Sequence, residues 1–227
     1  MQLIKNIHLL ILELELLGIK LKRNIINSVN LIALETLPLI EPGDDLASLI
    51  IKAIYEESIL IDDGDVFAIA QKIVSKSENR YLDLSSVNPS KEATDLSKKI
   101  SKEPNFIQAI LNESKKVVKF RMGVLIVEHK LGFIHANAGI DRSNIDQQKD
   151  TVLLLPKSPD KSAKYLSESL SQHFNKEISV IITDTMGRPF RNGIVGFTIG
   201  SHNICNFNFS FFSHCYVKGD CSNRDMP

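Results

Sequence analysis

With 227 residues, 43% hydrophobic and 24% charged, the chain has ordinary globular composition and enough length to bury a substantial core. Lysine plus arginine equals aspartate plus glutamate at 27 each, so no global field draws it to nucleic acid or anionic lipid, and any anion site has to be local. The three cysteines, Cys205, Cys215 and Cys221, are odd in number and crowded at one end, which argues against a disulfide framework and for a reducing, cytoplasmic setting.

Residues 1–28 open with an apolar run, Leu9 to Leu17. Glu13 and Glu15 interrupt it, it is too short to span a bilayer, and no small-residue cleavage site follows, so it reads as an extension without membrane role. Asn30 to Leu34 then reads as a strand. Pro38 and Pro42-Gly43 make a turn, and Asp44 or Asp45 can cap a helix whose apolar positions Leu46, Leu49, Ile50, Ala53 and Ile54 recur at helical spacing. The loop Leu37 to Glu41 thus leads into a helix amino terminus, a place that can hold a phosphate or a base edge, although most such loops only connect. A second strand, Val66 to Ala70, precedes Gln71-Lys72-Ile73-Val74-Ser75-Lys76. Lysines usually decorate solvated surface, but two with polar neighbours directly after an apolar strand point to a phosphate site.

Pro89 to Ser101 and Pro104 to Val117 read as two short helices, and Gly123 to Glu128 with Phe133 to Asn137 as a hairpin. The hairpin ends in Ala138-Gly139-Ile140-Asp141-Arg142-Ser143-Asn144. Val152 to Leu155 is a short apolar run. Asp160 is placed to cap a helix with Ala163, Leu166, Leu170 and Phe174 facing inward, which leads to an apolar strand in a βαβ-like unit. That strand, Ile178 to Ile182, is expected to stop at Asp184, followed by Thr185, Gly187, Arg188 and Arg191. An Asx turn with two solvated arginines would account for that ending. Yet two strand-terminal aspartates, Asp141 and Asp184, each beside glycine and neutral oxygen donors, are what a magnesium or manganese site shared with phosphate needs. No P-loop, dinucleotide-binding glycine motif, nucleophile elbow or paired-cysteine zinc motif occurs.

Taken together, Leu37-Pro38-Leu39-Ile40, Gln71-Lys72-Ile73-Val74-Ser75-Lys76, Asn137-Ala138-Gly139-Ile140-Asp141-x-Ser143-Asn144 and Ile182-Thr183-Asp184-Thr185-x-Gly187-Arg188 resemble the coenzyme F420-0:L-glutamate ligase family, F420 being a deazaflavin cofactor. The resemblance covers residues 29–200 in order. It implies a family-specific mixed α/β fold (α+β, mixed sheets with flanking helices) and an enzyme that uses GTP and a divalent metal to add L-glutamate by γ-linkage to coenzyme F420-0 through an acyl phosphate. It implies a cytoplasmic homodimer, with Mg2+ or Mn2+ and K+ as a further candidate cation. By position, Pro38, Leu39, Ile40, Glu41, Gln71, Lys72, Lys76 and Asn144 resemble the GTP contacts, Asp141 and Asp184 the ligands of one metal ion, and Thr185 a ligand of a second. No catalytic side chain is assigned.

The expected organisation is therefore an extension at 1–28, a ligase-like domain at 29–200 and a divergent tail at 201–227. The tail gathers every cysteine and Phe207, Phe209, Phe211 and Phe212 and does not resemble the family's continuation, so a truncated or frameshifted product is expected. The alternative function is an inactive or nucleotide-binding remnant. A zinc site at His202, Cys205, His214 and Cys215 fits no standard finger spacing.

Overall fold

The computed structural model describes residues 29–142, 150–187 and 192–204. The expected extension at 1–28, the tail from Cys205 onward, and Ser143, Asn144, Arg188 and Arg191 lie outside the described residues. Residues 29–41 carry no regular structure, so the strand expected at Asn30 to Leu34 is not formed. Leu31 is 91% exposed. The backbone N–H groups of Glu35 and Thr36 are instead taken up by the Glu57 carboxylate at 2.7 and 2.8 Å.

The first helix, α1 (Leu46–Glu56), starts at Asp45, whose carboxylate accepts from the Ala47 N–H and the Ser48 hydroxyl. Its face of Leu46, Ala47, Ile50, Ala53 and Ile54 is buried, as the helical spacing requires. Strand β1 (Val66–Ala70) passes directly into α2 (Gln71–Ser77), followed by β2 (Tyr81–Asp83). Helices α3 (Lys91–Ile100) and α4 (Pro104–Asn112) follow. The second of these is shorter than its sequence suggests, because β3 (Ser114–Arg121) begins where a helix to Val117 was expected. Lys116, Val117, Lys119 and Phe120 pair with β4 (Val124–His129), which makes a hairpin with β5 (Ile134–Ala136). Strand β6 (Thr151–Leu153) precedes α5 (Pro159–Phe174), and β7 (Ser179–Gly187) and β8 (Ile194–His202) follow.

Three small sheets result: β1-β7-β8, β2-β6 and β3-β4-β5. The expected βαβ unit does not form around α5, since β6 pairs antiparallel with β2 whereas the parallel partner of β7 is β1. Nor does Asp160 cap α5; Ser158 holds the cap position and the Asp160 carboxylate accepts from the Ser201 N–H at 2.9 Å. It ties β8 to the start of the helix. Gly200 makes that approach possible, because a Cβ there would stand 2.4 Å from the Pro159 carbonyl carbon.

Two buried clusters divide the interior. One joins α3, α4, β4 and β6 through residues such as Ile100, Phe106, Ile107, Leu125 and Val152. The other joins α1, α5 and the β1-β7-β8 sheet through Ile50, Ile54, Leu166, Leu170, Val180 and Ile182. Each fully buried leucine or isoleucine contributes about 1.5–3 kcal/mol, so both clusters anchor the elements that meet between them. No described helix is long and apolar enough to cross a membrane.

Candidate active site

Strand register brings the separated motifs together. Ala70 at the end of β1 lies beside Thr183 of β7, so Lys72, in the first turn of α2, and Asp184 emerge at the same end of the sheet. Asp141 is held by a reciprocal backbone pair with Leu153, both N–H···O distances being 2.9 Å. The Lys72 ammonium reaches its carboxylate at 2.5 Å, with the two side chains 30% and 20% exposed. The structure thus brings Lys72 to Asp141. Lys76 lies one turn along α2, on the same face by helical spacing.

Asp141 owes its position to an unusual turn. Asn137, Ala138 and Gly139 have φ of 51°, 54° and 66°, three successive residues in the left-handed region. The Asn137 side-chain oxygen accepts from the Leu125 N–H, which fixes the turn to the neighbouring strand. At Gly139 a Cβ would come within 2.9 Å of Leu155. Backbone strain of this kind is kept where the surroundings over-determine it. Here the turn delivers the chain from β5 to Asp141.

Asp184 does not end its strand; β7 continues to Gly187 in antiparallel register with β8. The hairpin supplies backbone partners beyond the acid, which the sequence pattern alone does not disclose. One Asp184 oxygen accepts from the Thr185 N–H at 2.8 Å, and the other faces His135 Nε2 at 3.4 Å. Strand alternation carries the exposed Thr185 side chain to the opposite face. The structure therefore does not bring its hydroxyl to the side that Asp184 shares with His135.

His135 was not anticipated among the site residues. It sits on β5, 7% exposed, with Phe133 and Phe197 packed edge-on and tilted against its ring. Nδ1 lies 2.7 Å from the Ala136 carbonyl, to which it donates, and this leaves Nε2 pointing at Asp184. The 3.4 Å contact is a charge pair only: Nε2 is buried and completes no hydrogen bond. Burial opposes the charged ring, but the Asp184 carboxylate and the Ala136 carbonyl outweigh it and raise the His135 pKa above 6.5. The signal available in the sequence was Phe133 and His135 at period two in a hairpin strand, which puts a histidine on a face otherwise apolar.

The remaining expected nucleotide contacts are spread along the neighbouring surface. Gln71 is buried and its carbonyl accepts from the Ser75 hydroxyl at 3.0 Å, so this pair stabilises the start of α2. Of the loop segment, Ile40 is in the core while Pro38, Leu39 and Glu41 are exposed. The Glu41 N–H donates to Asp44 and the Gly43 N–H to the Ser77 carbonyl, pinning this loop to the far end of α2. There a cavity of about 410 Å³ opens, lined by Asp44, Asp45, Glu78, Lys161, Tyr165 and their neighbours. Its acids already accept from Ser48, Tyr165, Ser162 and backbone N–H groups, and these carboxylates disfavour a phosphate there.

A divalent ion suits the sheet-end group better. The Asp184 carboxylate faces a buried ring nitrogen, and separately the Asp141 carboxylate is held by Lys72. Among the described residues no three His, Cys, Asp or Glu side chains form a ready cage, so neutral oxygens or phosphate would have to complete the shell.

The fold defines a mixed α/β protein in which Lys72 meets Asp141 and His135 meets Asp184. The family model described as F420-0:Gamma-glutamyl ligase matches residues 35–220, and the chain belongs to that family. It is 42% identical over 172 residues to a coenzyme F420:L-glutamate ligase of Methanothermobacter thermautotrophicus, an alignment covering 76% of this chain and 68% of the relative. Ligases of the same name from Methanocaldococcus jannaschii and Archaeoglobus fulgidus are 40% and 41% identical, with 78% and 76% of this chain and 68% and 66% of the relatives covered. The chain thus spans about two thirds of the length of these curated relatives.

Proposed function

We propose that the chain acts as a GTP- and divalent-metal-dependent ligase that joins L-glutamate in γ-linkage to coenzyme F420-0. The observation that carries this reading is the Lys72–Asp141 contact, with Lys72 and Asp184 leaving the sheet just after the paired residues Ala70 and Thr183. Family membership supplies the reaction class.

In the proposed reaction the terminal carboxylate of coenzyme F420-0 attacks the γ-phosphorus of GTP, which releases GDP and gives an acyl phosphate. The amine of glutamate then attacks the acyl carbon, inorganic phosphate leaves with the bonding pair, and the amine proton passes to solvent or a neighbouring base. Little covalent work falls to the protein; most of the rate comes from placing positive charge where the phosphoryl oxygens become more negative. Lys72 and Lys76, which share one helical face by spacing, are proposed to supply that charge, with Lys72 shared between Asp141 and the phosphates. When bound, a Mg2+ or Mn2+ ion supplies further charge neutralisation, with Asp184 and Asp141 as its protein carboxylates. Asn144 and the Pro38–Glu41 loop are proposed as further GTP contacts, Thr185 as a ligand of a second ion and K+ as an additional cation. A cytoplasmic homodimer is proposed with them, the cytoplasm being consistent with the cysteine usage.

Mass spectrometry of coenzyme F420-0 incubated with the chain, GTP, manganese and glutamate tests the reading. Glutamate addition that requires GTP is expected. GTP binding without any addition would replace this function with that of a nucleotide-binding remnant, and absence of both would overturn it.

A further inference from the structure

We infer that Arg142, Lys102, Lys99, Lys119 and Arg121 form a basic track that receives an oligo-γ-glutamyl tail on the acceptor, neutralising its free α-carboxylates while its terminal γ-carboxylate lies at the site of phosphoryl transfer. This assignment rests on the ligase reading above and adds a substrate class to it, acceptors that already carry several γ-linked glutamates. The chemistry of the bond is what generates that class. Each γ-linked addition leaves the new residue an α-carboxylate that takes no part in the bond and a fresh γ-carboxylate at the end. The product is therefore a linear polyanion and itself an acceptor.

The track begins beside the proposed site. Arg142 directly follows Asp141, and its guanidinium lies 4.6 Å from the centre of the Phe106 ring. The Lys102 ammonium lies 4.8 Å from the centre of the same ring, which is buried, so two like charges share one aromatic side chain. Burial and the positive charge of Arg142, partly offset by Glu103, hold the Lys102 pKa below the ordinary lysine value. An anion relieves such a convergence. Glu103 and Asp150 meet Arg142 at 2.8 and 3.4 Å. Among the described residues none of Lys102, Lys99, Lys119 and Arg121 forms an ion pair, although acidic and basic residues are equal in number over the whole chain.

From Lys102 the cations continue past the end of α3 to β3. The Ile100 carbonyl accepts from the Gly123 N–H at 2.8 Å, which brings the turn between β3 and β4 to the helix end, and the Lys99 ammonium lies 5.8 Å from the centre of the Phe120 ring. Lys119 and Arg121 flank Phe120 and pair with Ile126 and Val124, so both leave the same side of β3, about 6.6 Å apart at the rise of a strand. β3 is an outer strand of its sheet, and both side chains are exposed. An extended γ-glutamyl unit advances by five backbone bonds, about 6 Å, so successive α-carboxylates match that spacing. A nucleic acid strand would bring phosphates at a similar repeat, but Phe120 is the one exposed ring along this path, which gives successive bases nothing to stack on.

Calorimetric titration of the full chain with synthetic γ-linked tetraglutamate, without nucleotide, provides the test. The tetramer should bind at least about tenfold more tightly than γ-linked diglutamate, and its affinity should fall as salt is added. Lys99→Gln, Lys102→Gln, Lys119→Gln and Arg121→Gln combined should weaken tetramer binding at least about tenfold. Lys115→Gln with Lys116→Gln, which removes cations already facing Glu128, should change it less than about twofold. Should the fourfold variant fold poorly by circular dichroism, Lys119→Gln with Arg121→Gln alters only exposed side chains and should still weaken binding at least about threefold. Equal affinity in the unaltered chain and the track variants, or no gain from dimer to tetramer, would overturn the assignment. Tighter binding of a single-stranded oligodeoxynucleotide through the same residues would overturn it in favour of nucleic acid. Tail binding without GTP-dependent glutamate addition would remove the ligase reading and leave the track standing, whereas GTP-dependent addition without tail binding would do the reverse.

Discussion

Acidification should weaken the fold through a histidine that lies outside the cation cluster. His129 is 3% exposed, its ring stacks on Phe133 at 5.1 Å and 4°, and its Nδ1 accepts from the Leu131 N–H at 3.0 Å. Burial first, then the positive charge of His135, Lys130 and Arg80, brings its pKa from 6.5 down to about 4. A histidine depressed in the folded state contributes stability that is complete above its unfolded value and is lost as pH falls toward the folded one, because the unfolded chain takes up the proton first. Between about pH 7.5 and pH 5 the expected loss from this ring is about 2 kcal/mol, using about 1.36 kcal/mol per unit. His135 has the opposite sign: its raised pKa gives stability that is already complete below 6.5 and fades as pH rises through the folded value. It therefore adds no slope from 6.5 down to 5. The depressed carboxylates, among them Asp45, Asp63 and Glu128, keep their contribution above their unfolded values and lose it at lower pH. Urea unfolding of the unaltered chain and of His129→Phe at both pH values isolates the ring. The unaltered chain should lose about 2 kcal/mol more than the variant on acidification; equal losses would refute the reasoning.

Three further outcomes follow from the geometry. Gly200→Ala would force a Cβ to 2.4 Å from the Pro159 backbone and should lower stability by about 3 kcal/mol or more, measured by urea unfolding, with the β8 to α5 junction displaced. Lys72→Met should weaken Mg-GTP binding at least about tenfold by calorimetry, because a partly buried cation beside Asp141 is lost. Arg80 donates to the Leu155 carbonyl at 2.8 Å and pairs with Glu113 at 3.0 Å, so Arg80→Ala should cost about 2 kcal/mol by thermal unfolding, and a cycle with Glu113→Ala should show coupling.

Much of this architecture was legible where one local pattern decides it. The α1 helix and its cap, β1 and the β4 and β5 hairpin follow directly from helical or alternating apolar spacing. What the sequence could not disclose depends on partners distant in the chain. Ser114 to Val117 lie in a strand because β4 is beside them, although the run from Pro104 to Val117 reads as a helix. Asp184 sits within a strand because β8 returns along it. Likewise β6 next to β2 and β1 next to β7 are choices of tertiary packing, which overrides the simpler βαβ reading. For the proposed site, the two aspartates and the paired lysines pointed to Lys72, Asp141 and Asp184, of which Asp184 lies inside its strand. His135 escaped because a single histidine in a strand is ordinary until its unused nitrogen is seen to face one of those acids.

The most direct measurement is a crystal structure of the chain with Mn2+ and a GTP analogue whose β–γ bridge resists cleavage. Anomalous scattering should place manganese on Asp184, and the terminal phosphates should lie against Lys72 within reach of Asp141. Manganese and phosphates bound instead in the recess beside Asp45 and Tyr165, with the Lys72–Asp141 pair untouched, would contradict the assignment of the sheet end as the site of phosphoryl transfer.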